Sequence, residues 1–366
     1  MENTLKTEAL LKLVMHARTG NLGVEYTGFL LKTQKPILQT QADSFSCQIG
    51  SGAAVKEWPI LSIESDSQGL LLTCRPFPSD TPFALTAALE DGSLVFTNED
   101  ISETLIQGLG QFEALAENGV LYRLYSPAAS GPRPLILFLH GGGECGYDNL
   151  SQMTGIFGAI KLSESYPDLF VMAPQAPGLL SDMMPDKAAF YRNTFTSFYQ
   201  PKGTGWHREY LGAVCDIIRR LIREKKVDEN RIYVTGASMG GAGTLRALSV
   251  GAGLFAAAAP VCPTMIPETY NILCSLTDAK IWISTAYADH TLYRHKYIVD
   301  AVMKLKDTGN KNVHLTLYAP EELEKYGLST DPDMPLSEKL SENHSSWILT
   351  YHNEHGIMDW LISQHK

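Results

Sequence analysis

The sequence predicts an α/β protein in which a mostly parallel sheet is covered by helices and is preceded by a smaller β-rich domain. Three observations carry this. From about Gln111 onward, short continuous apolar runs alternate with amphipathic ones, as expected of strands buried on both faces between covering helices. Upstream, residues 21–105 hold short runs of β-formers broken by "SDSQG" and "EDGS", a pattern of antiparallel hairpins. The length, 366 residues, exceeds the roughly 250–300 at which a single core stops growing. Two units are therefore expected: an accessory domain over 1–105 and a larger α/β domain over 111–366.

Taken in order, the opening "MENTLKTEALLKLVMHARTG" mixes Glu2, Lys6, Glu8 and Lys12 with apolar residues. It predicts a helix and lacks the uninterrupted apolar core of a signal peptide. The segment "ISETLIQGLG" is read as a linker or short helix, and "FEALAENGVLYRLYSPA" as a hairpin that opens the larger domain. The runs "PLILFLHGGG", "LFVMAP", "RIYVTG", "LFAAAAPVC" and "KIWIST" are too short and too evenly apolar for surface helices, so each is expected to be a parallel strand. In "LGAVCDIIRRLIREKKVD", Leu211, Val214, Cys215, Ile218, Leu221 and Ile222 share one face while Arg219, Arg220, Arg223 and Lys226 lie largely away from it, which makes a covering helix. A second helix is expected over "HKYIVDAVMKLKDTGN" with Gly309 as its stop, and a closing one over "GIMDWLISQHK".

Composition narrows the function classes. Thirty basic against 40 acidic residues give a net charge of −10, and no basic run is present to neutralise phosphates, so neither nucleic acid nor an anionic membrane is an expected partner. No apolar run approaches the ~20 residues that span a bilayer. The cysteines Cys47, Cys74, Cys145, Cys215, Cys262 and Cys274 lack CxxC spacing, which argues against a zinc site and a disulfide framework. A reduced, cytoplasmic protein with no metal and no other cofactor is the expectation.

The chemistry-bearing stretch is "RIYVTGASMGGAGTLRAL". Here GxSxG follows a run of β-formers and precedes a helix former, the setting of a nucleophile elbow: a sharp strand-to-helix turn that exposes the Ser238 hydroxyl. Gly236 and Gly240 supply clearance, and Gly241 lets the helix approach the sheet. After the most apolar strand comes "LHGGGECGYDN", whose glycines can turn backbone N–H groups toward a developing oxyanion. The expected donors are Met239, just after the serine, and Gly142 or Gly143. His140 is read as a residue that holds this loop, and Cys145 as a packing residue close enough to the site for thiol reagents to inhibit. Glu144 is expected to orient the loop or to meet a cationic group.

An acid and a base should follow the serine in that order. Asp289 lies in the loop past the carboxyl end of the "KIWIST" strand, whereas Asp278 precedes that strand and Asp300 falls in the next helix. His344 in "SENHSSW" follows a loop and precedes the last helical stretch, while His352, His355 and His365 are read as surface residues.

Together "HGGGECGYDN", "GASMGG", Asp289 and "HSSW" resemble the α/β-hydrolase superfamily, in particular its bacterial carboxylesterase branch related to feruloyl esterases and polyhydroxybutyrate depolymerases. The resemblance covers about Gln111 to Lys366. It implies the α/β-hydrolase fold, Ser238 as nucleophile, Asp289 as acid, His344 as base and an oxyanion site at Gly142, Gly143 and Met239. It also implies an immunoglobulin-like form for residues 21–105, as some esterases of this branch carry one. The expected reaction is hydrolysis of small or aromatic acyl esters, on carbohydrate or plant phenolics, through an acyl-enzyme. A serine peptidase, an acyltransferase and a non-catalytic binding module are the rival readings. Two insertions depart from the family pattern: the acidic "APEELEKYGLSTDPDMPLSEKLSEN", and a segment before the covering helix that carries Phe190, Tyr191, Phe195, Phe198, Tyr199 and Trp206. These are read either as a lid with aromatic walls or as a satellite core under a long loop. Tyr147, Phe198 and Trp206 are the expected substrate contacts. The β-rich domain is expected either to meet another subunit, making a homo-oligomer, or to shape one side of the cleft.

Overall fold

The computed structural model describes residues 10–33, 44–66, 69–89, 92–179, 181, 202–289, 294–328 and 343–366. The chain forms two compact units, Met1–Gly110 and Gln111–Lys366.

The first unit holds strands β1 (Leu10–Gly20), β2 (Gly23–Thr33), β3 (Phe45–Ile49), β4 (Lys56–Trp58), β5 (Ile60–Asp66), β6 (Gly69–Pro78), β7 (Phe83–Leu89), β8 (Gly92–Thr97) and β9 (Ile101–Ile106). They make two sheets among the described residues, ordered β5-β6-β2-β1-β9 and β4-β3-β7-β8. Along β6 burial alternates, with Leu70, Leu72 and Cys74 inward, as expected of a sheet with one face in the core. The "SDSQG" and "EDGS" stretches join antiparallel pairs, β5 with β6 and β7 with β8.

Two expectations are corrected here. The described part of the amino-terminal segment is a strand, not a helix: β1 pairs antiparallel with β2 and parallel with β9, and it buries Leu13, Met15 and Ala17 together with Val14. Helix propensity is a weak prior that sheet pairing on both sides and core burial override. "ISETLI" is likewise strand β9 rather than linker or helix, its β-branched residues serving the edge beside β1.

The second unit is built on an eight-stranded sheet of β10 (Phe112–Glu117), β11 (Val120–Tyr125), β12 (Arg133–Leu139), β13 (Phe170–Pro174), β14 (Val227–Ala237), β15 (Ala257–Val261), β16 (Ile281–Ala286) and β17 (Val313–Tyr318). Its order is β10-β11-β13-β12-β14-β15-β16-β17. The β10–β11 hairpin turns on Asn118 and Gly119, both at positive φ (50° and 78°), the pair of angles that a two-residue type I′ loop requires. From β13 to β17 the pairing is parallel. Strands β13 and β15 are buried at every position, because helices cover both faces.

The helices include α1 (Gly158–Ser165), α2 (Arg208–Arg223), α3 (Met239–Val250), α4 (Pro267–Ser275), α5 (Arg294–Asp307), α6 (Trp347–Tyr351) and α7 (Ile357–Ser363). Helix α2 buries Leu211, Val214, Cys215, Ile217, Ile218 and Leu221, the stripe set by its 3.6-residue period. Helix α5 ends ahead of Gly309, which takes φ +89°, the left-handed stop glycine allows at little cost. No helix among the described residues is long and apolar enough to cross a membrane. The strand order sets β12 and β15 on either side of β14, so the loops leaving their carboxyl ends meet at one edge of the sheet, where ligands bind in such folds.

Candidate active site

Strand β14 delivers Ser238 to that edge in a strained turn. Its φ of +60° with ψ of −114° lies outside the regions open to L-residues at low energy, a cost of about 1–3 kcal/mol that the surroundings must hold. The turn is fixed by backbone bonds: Ser238 N donates to Val261 O at 3.0 Å, and Ser238 O accepts from Ala242 N at 3.1 Å and Thr264 N at 3.0 Å. Small neighbours make this crossing sterically possible. A Cβ on Gly236 would lie 2.5 Å from Leu139 O, and one on Gly240 would lie 1.9 Å from the same oxygen. Both obstacles are backbone and cannot swing away. Gly240→Ala is therefore expected to destabilise the chain by about 3 kcal/mol or more, read from the denaturant midpoint; an unshifted midpoint would contradict the crossing geometry.

The Ser238 side chain makes no capping bond to helix α3, which it precedes. Instead its hydroxyl lies 2.8 Å from His344 Nε2. His344 Nδ1 lies 2.8 Å from Asp289 Oδ2. The Nδ1–H tautomer satisfies both contacts, donating to the carboxylate while Nε2 accepts from the serine. Asp289 is fully buried in the loop past β16, where its N–H donates to Ala286 O at 3.1 Å. His344 sits just ahead of α6, with the Trp347 ring edge-on at 5.5 Å. Beneath it, Thr350 Oγ1 meets Ser284 Oγ at 2.8 Å and Tyr318 OH at 3.0 Å, a buried hydroxyl network that ties α6 to β16 and β17.

Electrostatically the imidazole is contested. Burial and the Arg294 guanidinium push its pKa down, the Asp289 carboxylate and its hydrogen bond push it up, and the result lies above the ordinary value, at about 9.

The second expected loop lies beside the elbow. Gly142–Glu144 form a single tight 3-10 turn after β12, and a Cβ on Gly142 or Gly143 would meet nothing within 4 Å. Met239 is the first residue of α3, so its N–H is among those that a helix leaves without an internal partner. His140, fully buried, accepts from Ala176 N through Nε2 at 2.8 Å. That leaves Nδ1–H to donate to Gly141 O at 2.6 Å, so the ring staples the loop to the segment after β13. Glu144 packs inside the loop, its Oε2 3.7 Å from His140 Nδ1.

Other expected site residues fall elsewhere. Trp206 is fully buried: its Nε1 donates to His140 O at 2.9 Å and its ring packs 4.8 Å from the His140 ring. It braces the loop from within, where a substrate contact had been expected. Tyr147 is 67% exposed, and its hydroxyl accepts from Gly178 N at 3.1 Å. Phe198 lies outside the described residues, as do Phe190, Tyr191, Phe195 and Tyr199. Cys145 is buried, and burial followed by the Glu144 charge pushes its thiol up to about 12, which removes the basis for expecting reaction with thiol reagents. Sequence reasoning missed Arg294, which the structure brings against the Asp289–His344 pair, and Thr264, which accepts from Arg294 and donates to the carbonyl of Ser238. Among the described residues no group of three or more His, Cys, Asp or Glu side chains is placed to hold a metal ion.

No family model matches the sequence, and no curated protein matches it. Solved structures do. The crystal structure of a thermostable esterase aligns with a TM-score of 0.70 at 23% identity, over 97% of this chain and 100% of that one. A putative dienelactone hydrolase from Klebsiella pneumoniae subsp. pneumoniae MGH 78578 aligns at 0.43 and 13% identity, over 66% of this chain and 97% of that one. Thermogutta terrifontis esterase 2 phosphorylated by paraoxon aligns at 0.41 and 14%, over 68% and 96%. Sheet order, covering helices and the first of these likenesses fit an α/β-hydrolase fold.

Proposed function

We propose that the chain is a serine carboxylesterase that works through a Ser238–His344–Asp289 triad and an acyl-enzyme. The observation that carries this reading is the unbroken line from Ser238 Oγ through His344 to Asp289, with 2.8 Å at each step, set on a strained turn at the start of a helix. The fold it shares with a thermostable esterase supports the same conclusion.

The reaction follows from these groups. His344 Nε2 takes the hydroxyl proton as Ser238 Oγ attacks the ester carbonyl, and the N–H groups of Met239 and of Gly142 or Gly143 hold the oxyanion. The imidazolium then protonates the departing alcohol. Water, deprotonated in turn by His344, releases the acid and restores the serine. Asp289 keeps the proton on Nδ1 and balances the imidazolium. Small and aromatic acyl esters are the proposed substrates, as in the feruloyl esterase and polyhydroxybutyrate depolymerase branch. The accessory β-rich domain and a reduced, cytoplasmic setting belong to the same proposal.

The test is hydrolysis of p-nitrophenyl esters from acetate to octanoate, plus methyl ferulate. Turnover of at least one member is expected, and the preferred member defines the acyl pocket. A folded protein inert to the whole series would turn the reading toward a peptidase, an acyltransferase or a binding role.

Two further results are expected. Because His344 must be neutral to accept a proton, kcat/KM should rise with pH and reach half its plateau near the raised value of about 9; an acid limb at or below the ordinary histidine value of about 6.5 would contradict the imidazole environment. Gly142→Ala meets open space in the fold, so the variant should melt like the parent. The alanine keeps the backbone N–H but sets a methyl group in the space beside the proposed docking place of the acyl oxygen, so kcat/KM should fall about 100-fold, the scale of a 1 Å misplacement at a reacting centre. Full activity would show that the acyl group does not dock against this face of Gly142.

A further inference from the structure

We propose that Arg294 is a positioning residue of this site: its guanidinium anchors Asp289 and sets a fixed positive charge against His344 Nδ1. This rests on the triad reading above. Arg294 opens helix α5 and is only 1% exposed, and a buried cation is costly unless it is paired and hydrogen-bonded. Its partners are the reacting groups themselves. Nη1 lies 3.6 Å from Asp289 Oδ1 and 3.2 Å from His344 Nδ1. Nη2 donates to Thr264 Oγ1 at 3.2 Å, and Thr264 N in turn donates to the carbonyl of Ser238. One planar fork thus touches the acid, the base and the loop bonded to the nucleophile. A lysine, with a single point charge, could not span them.

The contact with His344 has a definite sign. Since Nδ1 carries the hydrogen donated to Asp289, it offers Arg294 no lone pair, and two N–H groups face one another. A neutral ring tolerates this, whereas an imidazolium is repelled. The charge count agrees: with His344 neutral, Asp289 and Arg294 balance, and protonation leaves a net positive charge in a buried site. The titratable and charged groups facing His344 among the described residues are Ser238 on the elbow, Cys262 after β15, Asp289 after β16 and Arg294 on α5. Asp289 favours the protonated ring; Arg294 opposes it.

The test is the pKa of His344 in the full-length chain, measured by NMR from its imidazole ring protons, the signal being assigned by its loss in His344→Gln. The acid limb of kcat/KM on p-nitrophenyl acetate is measured in parallel. Arg294→Gln should raise both values by about 1 unit and lower kcat, whereas Arg294→Lys, which keeps the charge, should lower kcat with a smaller shift. An unmoved NMR pKa in the glutamine variant, or equal shifts in the two variants, would overturn the proposal. Should the glutamine variant fail to fold, Asp289→Asn reads the same field: burial together with the unopposed guanidinium should drive the His344 pKa below about 6.5, and a value at or above that would overturn the proposal. The NMR titration needs no turnover, so a chain inert to esters would defeat the esterase reading and leave the Arg294 measurement intact.

Discussion

Replacing Ser238 with alanine is expected to lower kcat on p-nitrophenyl acetate by about 10⁶ while leaving the protein folded. The size follows from the role: without Oγ no acyl-enzyme can form, and what remains is binding and the oxyanion site. The retained fold follows from the structure. Alanine inherits the same positive φ, so the strain of the elbow is unchanged, and the hydroxyl caps no helix. The bonds that fix the turn run through the Ser238 backbone. Steady-state kinetics and a thermal melt check the two halves together. Residual turnover within ten-fold of the parent, in a protein free of contaminating esterase, would remove Ser238 from the chemistry.

Asp289→Asn should cost about 10⁴ in kcat. An asparagine amide facing Nδ1 can donate to it, which moves the ring hydrogen to Nε2 and points it at the serine hydroxyl. His344 then has no lone pair with which to take the proton. The same substitution strips a carboxylate from buried Arg294, so the variant should also melt earlier than Ser238→Ala does; removing one partner of a buried pair costs about 3–5 kcal/mol. A variant with unchanged turnover would exclude Asp289 as the acid. Reduced stability with full turnover would make it a structural partner of Arg294.

How much of this the sequence made legible depended on whether the constraint was local. The elbow is readable because the clash it avoids lies in its own neighbourhood: Gly236 and Gly240 must be small where the turn passes the carboxyl end of β12, and that need is written as GxSxGG. Asp289 and His344 are readable by order, since strand ends on one edge of a parallel sheet converge. Elements whose state is decided by distant partners were misread. Leu10–Gly20 carries helix formers, but β2 and β9 flank it and make it a strand. Trp206 stood in an aromatic segment that resembled a pocket wall, and only packing shows it beneath His140. Arg294 lies in "YRHKYIVD", where a basic residue opening an amphipathic helix reads as solvated surface. Nothing in that pattern distinguishes a guanidinium turned inward onto Asp289.

The measurement that tests the central claim most directly is mass spectrometry of the acyl-enzyme. The protein would be mixed with p-nitrophenyl acetate, quenched in acid before deacylation is complete, digested and mapped. One acetyl group on the peptide that carries Ser238, absent from Ser238→Ala, is the predicted result. Ester turnover with the acetyl group on another residue, or with no covalent adduct at any quench time, would contradict the assignment of Ser238 as the nucleophile.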